Sequence, residues 1–147
     1  MVSVFRSWRY VLLGVALAAS AACSSGSSSP TTPSVISVAG TWTGTETDTV
    51  AGVGTLQATV TQSGSTLGGT YALTFPNPLF SNSGSLSGSI SGTTITLTAT
   101  PQATNSFCPA TDTATVNSAG TQITGTYVAV ASCLLAHQSG SFSVSKQ

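Results

Sequence analysis

Few side chains in this sequence could carry out acid–base or metal chemistry. The chain contains three acidic residues, Glu46, Asp48 and Asp112, and a single histidine, His137. An imidazole beside a carboxylate could act as an acid–base pair or bind a metal ion. The four residues lack the spacing of a metal-ligand motif, however. We therefore expect them to lie in solvated loops, and we expect no enzyme activity, no metal site and no cofactor.

Basic residues are equally scarce. Arg6 and Arg9 lie near the start of the chain and Lys146 near its end. From Cys23 onward one lysine opposes three acids, so the charge of that portion is about −2 near neutral pH. Nucleic-acid binding requires clustered lysines and arginines. We therefore expect no nucleic-acid partner.

The first 22 residues have the pattern of a signal peptide. Two arginines precede a short apolar stretch at 10–17, and small residues follow at 18–22. The apolar stretch is too short to span a bilayer comfortably. Residues 23–37 are rich in Ser, Gly and Pro, a composition typical of a flexible tether. The remaining residues, 38–147, are predicted to form one folded domain.

The end of this N-terminal segment, Ser20-Ala21-Ala22-Cys23, resembles the lipobox of bacterial lipoproteins. In that family the cysteine becomes the mature N-terminus and carries a thioether-linked diacylglycerol and an amide-linked acyl chain. The resemblance implies that Cys23 is lipidated and anchors an exported protein in the cell envelope. Ser24 then implies the outer rather than the inner membrane. The chain departs from the family at Ser20, where leucine is usual; the alternative is ordinary secretion with cleavage after residue 21.

From residue 38 onward, apolar residues alternate with Thr or Ser, the period-2 pattern of half-buried strands. Tight turns are predicted at Ser63-Gly64, Ser91-Gly92 and Ala119-Gly120, and longer connections between them. The pattern predicts eight strands at 38–46, 54–62, 65–75, 84–91, 93–100, 111–118, 121–130 and 138–146.

An internal repeat determines how these strands are expected to assemble. Residues 58–71, ATVTQSGSTLGGTY, recur without a gap as ATVNSAGTQITGTY at 114–127. Two four-stranded units favour an all-β fold, an eight-stranded antiparallel up-and-down (meander) barrel that leaves no free edge. A two-sheet β sandwich is the main alternative. An outer-membrane barrel, with its apolar face turned to lipid, is a further one.

The first strand opens with Gly40-Thr41-Trp42, which is similar to the Gly-x-Trp start of the calycin superfamily of lipocalins, fatty-acid-binding proteins and avidins. Those proteins are up-and-down barrels in which this Trp closes the barrel floor under a basic residue near the last strand. The resemblance implies the same role for Trp42, with Lys146 as its partner. Avidins line their biotin pocket with several tryptophans, so biotin is not expected as a ligand here.

Two cysteines remain after Cys23. Cys108 and Cys133 fall in connections that a meander places at the same end of the barrel. Export would place the two cysteines in an oxidising compartment, where disulfides form. A disulfide across a loop of this length would contribute roughly 3–4 kcal/mol to the stability of the fold. We therefore predict a Cys108–Cys133 disulfide.

The long connections also form a rim with unusual apolar content. These residues either line the mouth above an interior that holds one small ligand, or plug that end and extend the core. The sequence thus indicates an exported, lipid-anchored envelope protein that binds a small apolar ligand or a protein partner at this rim. The alternative is a structural lipoprotein with a filled barrel. The candidate rim residues are Phe80, Phe107, Leu134, Leu135 and His137.

Overall fold

The computed structural model describes residues 35–103, 107–130 and 138–147, and these residues form a closed eight-stranded β barrel. One 3₁₀ turn, Pro78–Phe80, interrupts the connection between the third and fourth strands. In the described part of the chain, no helix has the length and apolar character needed to cross a bilayer. The strands are β1 (Gly40–Asp48), β2 (Gly52–Ser63), β3 (Thr66–Thr74), β4 (Asn82–Ser91), β5 (Thr94–Pro101), β6 (Ala110–Val116), β7 (Gln122–Ala129) and β8 (Ser139–Lys146).

Each strand pairs antiparallel with the next one along the chain, and β8 pairs with β1 to close the sheet. The predicted meander barrel is therefore confirmed, and the two-sheet sandwich is excluded. The sequence repeat is also visible in the pairing register. Tyr71 lies opposite Gly84 across β3 and β4, and its counterpart Tyr127 lies opposite Gly140 across β7 and β8.

The apolar face of every strand points into the barrel. Tyr71 is buried and Tyr127 is half-buried on this face, whereas the adjacent Thr70 and Thr126 are exposed. Thr and Ser supply most of the outward-facing strand positions. This polar outer face contrasts with the apolar outer band of a transmembrane barrel. The interior core is built from residues such as Val60, Leu67, Leu86, Ile90, Ile95, Val116, Ile123 and Val144.

The connections at one end of the barrel have two, two and five residues, and those at the other end are longer except for the three-residue turn between Asp48 and Gly52. Gly64 and Gly92 begin the two-residue turns and take left-handed φ angles of 60° and 59°. The third connection at their end spans 117–121 and is longer than the predicted Ala119-Gly120 hairpin turn. Asn117 Oδ1 accepts hydrogen bonds from the backbone N–H groups of Thr121 and Gln122, which stabilises the wider turn.

Residues 35–39 cover the tight-turn end before β1 begins. The Trp42 indole N–H donates to the Val38 carbonyl over 2.9 Å, and Val38 N donates to the Gln62 side chain over 2.7 Å. Lys146 Nζ lies 5.6 Å from the centroid of the Trp42 ring, so the two predicted floor residues are neighbours. Ile36, which lies within the predicted tether, already packs against the core.

Candidate functional site

The three acidic residues lie inside the barrel, and the expectation that they occupy solvated loops was wrong. Glu46, Asp48 and Asp112 are only 6%, 7% and 9% exposed. The reason is the alternation of strand side chains, because β1 extends to Asp48 and places both of its acids on the face of Trp42. Asp112 likewise shares its face of β6 with the buried Val116.

Asp48 ends β1 and stabilises the turn into β2. Its Oδ1 accepts hydrogen bonds from the backbone N–H groups of Val50 and Ala51, each over 2.7 Å. The Tyr127 hydroxyl donates to the other carboxylate oxygen, Oδ2. Both oxygens of Asp48 are therefore engaged by the protein.

Glu46 lies two residues before Asp48 on the same inward face. Burial raises the pKa of its carboxyl to about 7; a hydrogen bond with the Tyr127 hydroxyl opposes this rise, whereas Asp112 and Asp48 increase it. The pKa of Tyr127 is itself raised, first by burial and then by its bond to Asp48. Tyr127 therefore links the two β1 carboxyl groups.

Asp112 differs from the other two acids because no described residue forms a hydrogen bond or ion pair with its carboxyl group. It pairs with Leu97 of β5 and Tyr127 of β7 in the sheet register, and its side chain faces the interior. Burial alone raises the pKa of Asp112 to about 7. Tyr71 lies close enough that its own pKa is raised by burial and then by the charges of Asp112 and Glu46.

The barrel interior contains a cavity of about 120 Å³. Most of its lining is apolar and reaches from Trp42 at the floor to Phe80 and Phe107 in the long connections. The acids and the two tyrosines supply the polar part of the lining. This volume is below the ~300 Å³ of a typical ligand pocket but close to the ~150 Å³ of an apolar cavity that accepts benzene. The interior is therefore neither filled nor wide.

The structure places only some of the predicted rim and cysteine residues. Phe80 and Phe107 are half-buried and line the cavity. Cys108 is 7% exposed and also lines the cavity. The Cys108–Cys133 disulfide stays a prediction because its second member is outside the described residues. The other predicted site residues outside the described ranges are Cys23, Leu134, Leu135 and His137.

The sequence patterns did not reveal that Tyr127 forms hydrogen bonds with buried acids. They also did not single out Gly140, which faces Tyr127 across the sheet. A Cβ atom added at Gly140 would lie 2.7 Å from the Tyr127 ring and 2.9 Å from its hydroxyl oxygen. Only glycine leaves the tyrosine room to reach Asp48. The signal was present in the repeat, because each Gly-Thr-Tyr tyrosine opposes the glycine of a Ser-Gly-Ser segment.

The cavity lining combines apolar walls with a few carboxyl and phenol groups. Within 35–103, 107–130 and 138–147, no three His, Cys, Asp or Glu side chains converge as metal ligands. Apolar walls with a few convergent polar groups are typical of small-molecule sites. Buried carboxyl and phenol groups accept or donate hydrogen bonds and disfavour an anion.

The comparisons with known proteins bear on the fold alone. No protein-family model matches the sequence, and no curated protein matches it. Among solved structures, the chain is similar to a redesigned β barrel, with a TM-score of 0.57 and 17% sequence identity over 75% of this chain and 91% of the other. This similarity supports the closed antiparallel barrel.

Proposed function

We propose that this protein is an exported, lipid-anchored envelope protein whose barrel binds a small ligand through its long-connection end. The observation that carries the binding proposal is the interior cavity of about 120 Å³, which combines apolar walls with the unpartnered carboxyl group of Asp112.

Export and anchoring are proposed from the sequence of the N-terminal segment. The signal-peptide pattern of 1–22 and the lipobox-like ending at Cys23 support both. A location in the outer membrane is proposed from Ser24 by the same resemblance. Two or more acyl chains make membrane attachment stable, whereas a single acyl chain gives reversible binding.

The small size of the cavity favours the second candidate function, a structural lipoprotein that takes no ligand. Native mass spectrometry of the purified full-length protein in a mild detergent distinguishes the two. We expect a co-purified small molecule, and we expect Ala99→Leu to remove it because Ala99 lines the cavity. The matched control is Ala72→Leu, at an exposed position of β3. Protein recovered without any small molecule, from cells and after incubation with a metabolite extract, would favour the structural role.

The anchor and the disulfide need separate measurements. The mass of the mature N-terminal peptide should show acylated Cys23, and Cys23→Ser should release the protein from the membrane fraction. An unmodified peptide beginning at Ala22 would refute the anchor. Non-reducing peptide mapping should recover Cys108 and Cys133 in one linked peptide, and separate peptides would refute the disulfide.

A further inference from the structure

We infer that the ligand is a small organic amine, bound as its ammonium cation by Asp112 with Glu46 beside it. This inference rests on the proposed binding function and specifies the chemical class of its ligand. It follows from the charge inside the barrel, the unpartnered carboxyl group and the size of the cavity.

The inward-facing charges around the cavity are all negative among the described residues. Glu46, Asp48 and Asp112 line it, and Lys146 is the one lysine or arginine after the N-terminal segment. Lys146 lies at the opposite end, four residues along β8 from the partner of Glu46, a distance of about 13 Å along the strand. Its Nζ lies 3.5 Å from the Ser37 carbonyl oxygen, outside the cavity. The interior therefore has no described cation to compensate its acids.

The three acids differ in the hydrogen-bond partners of their carboxyl groups. Asp48 is held by two backbone N–H groups and Tyr127, and Glu46 also contacts Tyr127. Asp112 is 91% buried, faces the cavity and has no hydrogen-bond partner in the described part of the chain. The one fully enclosed polar side-chain atom without a partner among the described residues is Asn82 Oδ1, so the Asp112 oxygens stay accessible from the cavity, where an ammonium group can donate a charge-assisted hydrogen bond to them.

The volume restricts the rest of the ligand. A cavity of about 120 Å³ is somewhat smaller than one that accepts the six carbon atoms of benzene, so the ligand has about five non-hydrogen atoms. Beside Asp112 the wall is apolar on one side, where Leu97 lies opposite it on β5, and carries a phenol on the other, where Tyr127 lies opposite it on β7. An alkylammonium ion, with a charged head and a short apolar body, matches both parts of the lining.

Binding should depend on pH because the acids must ionise to hold the cation. The titratable groups facing Asp112 are Glu46 and Asp48 on β1, Tyr71 on β3 and Tyr127 on β7. Among described residues, β2, β4 and β5 present none, and β8 presents only Lys146 at the far end. With the pKa values of Asp112 and Glu46 near 7 in the empty protein, affinity should rise between pH 6 and pH 8. Binding should also release protons.

The test uses isobutylamine and its uncharged counterpart isobutanol as probes. Both are titrated into the full-length protein in phosphate buffer at pH 8 by isothermal calorimetry, with propionate, which also has about five non-hydrogen atoms, as the anionic probe. We expect the amine to bind at least ~10-fold more tightly than the alcohol and the anion not to bind. Asp112→Asn should reduce the ratio of amine affinity to alcohol affinity about 10-fold or more. The control Thr113→Asn, at the exposed neighbouring position, should change neither affinity.

The possible results separate this inference from the function on which it rests. Equal binding of amine and alcohol would overturn the inference and leave a neutral-ligand site in place. Absence of binding by all three probes, together with native mass spectra that show no bound molecule, would overturn the proposed binding function itself. A His137→Ala variant that gained amine affinity about 10-fold would overturn the inference differently, by showing that the chain supplies its own cation.

Discussion

Replacing Asp112 by asparagine should change how the stability of this barrel depends on pH. The pKa of Asp112 rises from 3.8 to about 7 in the folded protein because its carboxyl group is buried. Between these two pH values the folded state retains a proton that the unfolded chain has lost. The free energy of unfolding should therefore be highest at low pH and fall as the pH rises toward 7.

The size of the effect follows from the shift of about three pKa units. Each unit corresponds to about 1.36 kcal/mol, so ionising Asp112 costs the folded wild type up to roughly 4 kcal/mol. Asparagine has the same shape and cannot ionise. Asp112→Asn should therefore match the wild type near pH 3 and exceed its stability by up to roughly 4 kcal/mol at pH 8.5.

The assay is urea-induced unfolding followed by tryptophan fluorescence at pH 3, 5, 7 and 8.5. Thr113→Asn is the matched control, because it introduces the same side chain on the outer face of β6. The difference in free energy of unfolding between Thr113→Asn and the wild type should be the same at all four pH values. If the free energy of unfolding of Asp112→Asn differs from that of the wild type by the same amount at all pH values, or is lower at pH 8.5, then Asp112 is not buried as a poorly solvated acid.

Two further substitutions test the packing at the two ends of the barrel. Gly140→Ala should bring a Cβ atom into overlap with the Thr47 carbonyl oxygen and the Tyr127 ring, and should reduce the free energy of unfolding by about 1–3 kcal/mol or more, measured by urea unfolding. Gly68→Ala is the control, since the nearest atoms to a Cβ there are Thr61 Oγ1 at 3.3 Å and the Leu86 carbonyl oxygen at 3.8 Å, and equal losses for the two variants would contradict the steric argument. Lys146→Met should cost about 0.5–1 kcal/mol by removing the ammonium group above Trp42, and unchanged stability would show that this contact contributes nothing.

Much of the fold could be predicted from local patterns. Alternation of apolar residues with Thr and Ser located eight strands, and the repeat of 58–71 at 114–127 indicated two equivalent halves. The predicted strand limits are close to those observed, as with 84–91 for Asn82–Ser91. These features are encoded locally, because the pleat of a strand sends alternate side chains to opposite faces.

The candidate site could not be predicted in the same way. Glu46, Asp48 and Asp112 were assigned to solvent because ionisable groups are rarely buried, and this average preference outweighed the alternation that placed them inward. The contacts of Glu46 and Asp48 with Tyr127 depend on pairs far apart in the chain, such as Asp48 with Gly140 across the β1–β8 seam.

The sequence by itself thus determined the strands, the direction of their apolar faces and the two-fold repetition of the barrel. Only closure of the sheet decided which side chains share the interior. The long-range pairing of β1 with β8 brings the acids of β1 into the same interior as the side chains of β6 and β7. Closure also left the cavity of about 120 Å³ beside Asp112. That volume is the difference between the space that an eight-stranded barrel encloses and the summed volume of the side chains that fill it. No single segment of the chain encodes this difference.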